Sequence, residues 1–228
     1  IAAAIATPTF RPYLADDLFQ EALELFRQIG ERHGEADTLN NTALLYTDMG
    51  RVAEAKEAAQ RALTLYQELE SDDGVIAASC NMASVRQRSG EVSLAVETIS
   101  HALGLSLSHE PVTVLRTTTH ALEMGYAASL DNDWGLLSNL GQALLAQIDP
   151  SVAENPQMGE MGAACAMAQV AFGVMVAAGE VRGDRSHPAL AGTSELLRQF
   201  DAGSRGFFSL AQWLEDVCDN APGGLRMV

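Results

Sequence analysis

The stretch GEADTLNNTALLYTDMG (34–50), RVAEAKEAAQRALTLYQELESDD (51–73), GVIAASCNMASVRQRSG (74–90), EVSLAVETISHAL (91–103) contains one unit written twice. The copies lie forty residues apart without an insertion. Gly34 recurs as Gly74, Asn41 as Asn81, Ala43 as Ala83, Gly50 as Gly90, Ala55 as Ala95, and Ala62-Leu63 as Ala102-Leu103. Ala22-Leu23 extends the register upstream. This many matches in one register imply a stacked-repeat protein. Within the unit, Ala36, Leu39, Ala43, Leu44 and Tyr46 fall at helical spacing, as do Val52, Ala55, Ala59, Ala62, Leu63 and Tyr66. Gly50 and Gly90 separate the two helices of a unit, where the chain turns through a left-handed residue. The alanines let helix axes approach closely. Each unit is thus a helical hairpin whose apolar face only a neighbouring hairpin can cover.

Working outward, the pattern predicts helices over 15–29, 35–49, 52–69, 73–89 and 92–107. Asp16 and Asp17 suit the positive end of the first helix, and Ser71, Asp72 and Asp73 offer caps for the fourth. Pro8 and Pro12 read as a preceding turn. Residues 1–6 fall where the register would put the end of an earlier first helix, as if an upstream unit had been cut away. Pro111 opens a degenerate third unit, with helices at 112–129 and 133–148. Its Ala143-Leu144 pair lies one residue out of register. Pro150 and Pro156 interrupt the chain. Residues 161–179 carry no charge, but they are rich in Ala, Gly and Met and poor in Leu and Ile. They read as a buried central helix rather than a membrane span. A loop follows over 180–192, then a short helix near 193–201. The last helix, 206–219, carries Phe207, Leu210, Ala211, Leu214 and Val217 on one stripe and would cap the stack. The expected architecture is all-α: a single domain over 1–228, with clear repeats at 15–107, degenerate repeats at 112–201, and nine to ten helices.

The formal charge is −16, from 14 basic and 30 acidic residues. Both halves are acidic and neither holds a basic stripe, which argues against direct phosphate contact; the acidity reads first as serving solubility, and it would also suit a basic or amphipathic protein partner. Cys80, Cys165 and Cys218 form no CxxC pair and read as buried free thiols in a reducing, cytoplasmic setting. No GxSxG, P-loop or HExxH occurs. His101, His109 and His120 fall on two helices and a loop and read as no metal site. Met158, Met161, Met167 and Met175 read as core filler. Neither a catalytic group nor a cofactor is expected.

Leu39-Asn-Asn-Thr-Ala-Leu-Leu-Tyr46, followed by Gly50, Ala55 and Ala62-Leu63, resembles the tetratricopeptide repeat in a long form spaced at forty rather than about 34 residues. The resemblance covers residues 15–107. Repeat two departs from repeat one where Arg86 stands in place of Tyr46. The resemblance implies a right-handed superhelical solenoid whose concave wall, built from the first helix of each pair, holds a peptide or partner segment. In the family, Asn41 and Asn81 match an asparagine that bonds a bound peptide's backbone. An amide carries the donor and the acceptor for that task, or for satisfying a neighbouring helix. Register places Asp37, Asn40, Leu44, Asp48, Ser84, Arg88, Thr117, His120 and Met124 on the same wall. Asp37 and Asp48 stand where readers of carboxylate tails need basic residues. A rival expectation is an effector-sensing or autoinhibitory domain, since similar forty-residue repeats occur in large bacterial transcriptional regulators and signalling ATPases.

Overall fold

The computed structural model describes residues 12–190, 197–198 and 209–221. All regular structure among them is helical: α1 Pro12–Ile29, α2 Arg32–Asp48, α3 Val52–Glu68, α4 Asp72–Arg88, α5 Val92–Ser106, α6 Pro111–Leu130, α7 Trp134–Leu145, α8 Pro150–Glu154, a 3-10 turn Pro156–Met158, α9 Gly159–Glu180, and α10 Leu210–Asp219. Residues 1–6, most of 193–201 and the start of the predicted last helix lie outside the described residues. The chain divides into two compact units, 1–98 and 99–228, with α5 crossing the boundary.

In the first unit one turn is built four times at twenty-residue intervals. Gly30, Gly50, Glu70 and Gly90 all have positive φ, from 53° to 81°. After each, the next N–H donates back to a carbonyl five residues earlier: Glu31 to Phe26, Arg51 to Tyr46, Ser71 to Tyr66 and Glu91 to Arg86, at 2.8–2.9 Å. Glycine takes the left-handed backbone without a Cβ penalty, whereas Glu70 accepts it with strain. α1 and α2 start three residues earlier than the spacing predicts, at Pro12 and Arg32, whereas α3 and α5 start at the predicted residues. Pro12 is the first residue of α1, not part of a turn, because that position has no intrahelical use for an N–H. At α2 the Glu31 carboxylate accepts from the N–H groups of His33 and Gly34, which starts the helix at Arg32.

Consecutive helices α1 to α4 pack each on the next, and α2 also packs on α4. Leu23, Ala36, Leu39, Ala43, Ala59, Ala62, Tyr66, Ala78 and Met82 form one cluster. The pattern of small residues explains it: a methyl at the crossing point lets the axes close up, and the larger side chains fill the flanks. Leu45 rather than Leu44 is buried on α2.

A polar clamp joins α1 to the turn between α2 and α3. The Tyr46 hydroxyl donates to Asp16 Oδ1 at 2.7 Å, Arg51 donates to Asp16 Oδ2 at 2.5 Å, and Gln20 donates to the Tyr46 oxygen at 3.0 Å. The Arg51 guanidinium also lies 3.9 Å over the Tyr46 ring centre and pairs with Glu54. Forty residues on, the polarity is reversed: Lys56 takes the place of Asp16, Glu91 that of Arg51, and the two form an ion pair. Arg86, in place of Tyr46, is half-buried and donates to Thr98, while its Nε finds no partner. The packing therefore does differ at this departure.

Burial alone would raise the Asp16 pKa, but the bonds from Tyr46, Arg51 and Gln20 together outweigh it and hold it below the usual carboxylate value. A depressed folded pKa adds stability above the unfolded value, roughly pH 4, which is lost as pH falls through the folded value. Asp16→Asn is expected to cost about 1 kcal/mol at neutral pH. The gap to the parent chain should narrow as the pH falls below the ordinary carboxylate value, about 4. Urea melts above and below that value check it; a gap independent of pH would remove the clamp's carboxylate from the account.

In the second unit α9 is the central helix, packed on α6, α7, α8 and α10. Phe172 and Met175 are fully buried on it. Among the described residues it is the one helix long and apolar enough to cross a membrane, and half of its most apolar window is buried inside the fold. Its contacts are those of a core helix. Trp213 of α10 donates its indole N–H to the Leu122 carbonyl of α6 at 2.8 Å, which fixes α10 on that helix. Pro150 opens α8 instead of only breaking the chain. The three cysteines are free and buried.

Candidate functional site

The expected wall begins on α2 and α4, whose equivalent positions lie forty residues apart. Asp37, Asn40, Asn41, Leu44 and Asp48 lie on α2; Asn81, Ser84 and Arg88 lie on α4. Asp37 is exposed, yet it accepts a bond from the Tyr66 hydroxyl at 2.6 Å, so that carboxylate is engaged within the fold. Burial, then the bond and charge of Asp37, push the Tyr66 phenol above its ordinary value.

The two asparagines in equivalent positions are not equally placed. Asn81 is buried, 7 % exposed. Its Nδ2 donates to the Asn40 side-chain oxygen at 2.9 Å and to the Asn40 backbone carbonyl at 3.3 Å. Asn41 is exposed. Asn81 therefore satisfies the neighbouring helix, one of the two roles its amide permits. Asn40 and Asn81 form a rung between the two first helices, and a ligand would meet Asn40 rather than Asn81.

Beside that rung Leu44 and Ser84 are half-buried, and Asp48 and Arg88 close the wall. Ser84 donates weakly to the Cys80 carbonyl of its own helix, at 3.4 Å. Burial raises the pKa of Asp48, and the nearby positive charge of Arg88 offsets only part of it. The face thus combines an apolar spot, a part-compensated carboxylate, an exposed guanidinium and an amide. That set can pair with peptide N–H and C=O groups and with one charged side chain of each sign.

The three wall positions expected on α6 fare differently. Thr117 is fully buried and donates to the Thr113 carbonyl at 3.0 Å. Met124 is 2 % exposed. Both belong to the core of the second unit and present no side chain to an outside ligand. The physical reason is that α7, α9 and α10 all pack on α6, which leaves less of its surface open than a repeat wall would have. His120 is half-buried, with its ring nitrogen 3.1 Å from the Arg116 carbonyl of its own helix. Among the described residues no three His, Cys, Asp or Glu side chains gather where they could hold a metal ion.

A shallow hollow of about 170 Å³ lies elsewhere on the first unit, lined by Gln20, Arg27, Thr42, Glu57 and Arg61 among others. Spacing had not marked it, because its residues come from α1, α2 and α3 at unrelated repeat positions. Its arginines are occupied: Arg27 donates to Glu35 at 2.7 Å, and Arg61 lies 3.7 Å from the same carboxylate.

The family model of the tetratricopeptide repeat matches residues 2–68, a range that includes α1, α2 and α3. The chain carries tetratricopeptide repeats. No curated protein matches it. In repeat terms α2 and α4 are first helices of successive tetratricopeptide units, and α1 and α3 are second helices. Tetratricopeptide repeats generally mediate protein–protein interaction, and the family is typically a non-enzymatic interaction module.

Proposed function

We propose that this tetratricopeptide-repeat chain is a non-enzymatic interaction module that holds an extended peptide segment across α2 and α4. The observation that supports it is the face at Asn40, Leu44, Asp48, Ser84 and Arg88, where a half-buried leucine lies one helical turn from a half-buried carboxylate with an exposed guanidinium nearby. Asn41 extends the face along α2. A handful of backbone bonds, each contributing about 1 kcal/mol net, plus one apolar contact, corresponds to micromolar binding. The overall negative charge favours a segment with net positive charge. Buried free thiols fit a reducing compartment.

Photo-crosslinking from position 41, followed by mass spectrometry, would identify the bound segment. With that segment as a labelled peptide, Leu44→Asp and Asp48→Arg are each expected to weaken binding tenfold or more, about 1.4 kcal/mol. The helical signal should stay unchanged. Equal affinity in both variants would place binding off this face. The alternative, an effector-sensing or autoinhibitory domain of a larger regulator, would show instead as capture of a segment of the same polypeptide.

A further inference from the structure

The hollow of the first unit has a floor and a rim of different chemistry. α1 and α3 each pack on α2, and the gap between them is floored by Leu23, Leu39 and Ala58, all buried. Its volume of about 170 Å³ is close to the roughly 150 Å³ of an apolar cavity that takes benzene, and below the roughly 300–1,000 Å³ of pockets for larger ligands. One ring-sized apolar group fits there. Leu39, Thr42 and Tyr46 line it from a different face of α2 than the one that bears Asn41, Leu44 and Asp48. The hollow is therefore separate from the α2–α4 wall.

The pairing of the rim charges is incomplete. Arg27 and Arg61 share one carboxylate, Glu35. Arg27 donates only its Nε to it, and Arg61 at 3.7 Å is beyond hydrogen-bonding distance. Two guanidiniums against one carboxylate leave a net positive charge and free N–H donors at this end. Glu54 is held by Arg51. Glu57 lies one turn before Arg61 on α3, where an ion pair between the two would be ordinary. Arg61 is drawn to Glu35 instead, and the exposed Glu57 carboxylate has no partner among the described residues. The stack does not require this rim. The packing residues Ala43, Ala55 and Ala62 recur forty residues on, whereas Arg27, Glu35 and Arg61 become Gln67, Val75 and His101.

We infer that the hollow binds a free α-amino acid with a ring-sized apolar side chain. Its carboxylate pairs with Arg27 and Arg61, its ammonium with Glu57, and its side chain lies on Leu23, Leu39 and Ala58. Spacing decides for this class. The two charged groups of an amino acid hang from one carbon, and Glu57 and Arg61 are neighbours on one helix face, about 5–6 Å apart at Cβ. A guanidinium matches a carboxylate with two parallel N–H donors, and the floor selects the side chain by the apolar area it covers.

The test uses the whole 228-residue chain, isotopically labelled, with L-phenylalanine as the probe. At about 1 mM, where weak sites fill, amide chemical shifts should move at Leu39, Ala58 and Arg61. Phenylalaninamide lacks the carboxylate and N-acetylphenylalanine lacks the ammonium, so each should bind at least tenfold more weakly. L-alanine, which leaves the floor bare, should do the same. Arg61→Gln should abolish the preference for phenylalanine over its amide, and Glu57→Gln its preference over the acetyl derivative. Both side chains are exposed, so neither change threatens the fold. Leu44→Asp on the wall should alter nothing. Equal binding of phenylalanine and both derivatives is apolar adsorption and overturns the inference. Binding that ignores both substitutions lies elsewhere and also overturns it. A phenylalanyl-alanine dipeptide that binds as well as phenylalanine makes the ligand a peptide end instead. Absence of any shift at these residues sinks the site outright.

Discussion

Gly179→Ala is expected to destabilise the second unit by about 3 kcal/mol, at the upper end of what overpacking costs. Gly173→Ala, six residues earlier on the same helix, should stabilise it by about 0.5–1 kcal/mol. A Cβ at position 179 would lie 2.6 Å from the Ser138 backbone nitrogen and 2.8 Å from the Trp134 carbonyl oxygen. Those are backbone atoms of α7 and its start, and no rotamer change moves them aside. Gly141 on α7 makes the reciprocal approach: a Cβ there would lie 2.8 Å from the Phe172 carbonyl oxygen. The two glycines let α7 and α9 meet almost backbone to backbone, and each methyl added there must push the axes apart. At position 173 nothing lies within 4 Å of a built Cβ. Alanine there would only reduce the entropy of the unfolded chain and strengthen the helix. Urea midpoints of the two variants should move in opposite directions, and a shift of the same sign in both would contradict the crossing.

Tyr66→Ala is the second large effect, with an expected cost of about 3–5 kcal/mol. Tyr66 is 4 % exposed at the centre of the first unit's cluster. Its ring lies directly against Gly74, in space that a Cβ there would enter. Phe26 lies on Gly34 in the same way, so the aromatic-on-glycine contact is a repeating joint between a second helix and the next first helix. Removing the ring leaves a cavity that α4 cannot close, because its start is held by the turn at Glu70. Tyr66→Phe keeps the ring and loses only the bond to Asp37, which predicts about 1 kcal/mol. Thermal melts of the pair separate the two contributions. Equal losses would mean that the hydroxyl, not the ring, holds the joint.

Much of the first unit was legible because its physics is local. Gly50 and Gly90 mark turns in any fold that must leave a helix there. The alanines at 55, 59 and 62 mark a close crossing wherever that crossing occurs. The wall was legible only in part. Register gives the direction of a side chain. It does not tell what lies opposite, so Asn41 and Asn81, identical by register, end in different environments. In the second unit α7, α9 and α10 all pack on α6, and Thr117 and Met124 end in the core.

By itself the sequence determined the helices, the twenty-residue beat of turns and the packing of like hairpins, all of which follow from neighbours near in the chain. The tertiary structure decided three things that depend on contacts across tens of residues. Asn81 bonds to Asn40 instead of facing out. Asp16 and Arg51 hold a clamp that Lys56 and Glu91 repeat with opposite polarity. Leu18 and Leu25 of α1 stay exposed while their counterparts on α3, Ala58 and Leu65, are packed. Periodicity sets which way a side chain points, but its partner is set by where another helix comes to rest.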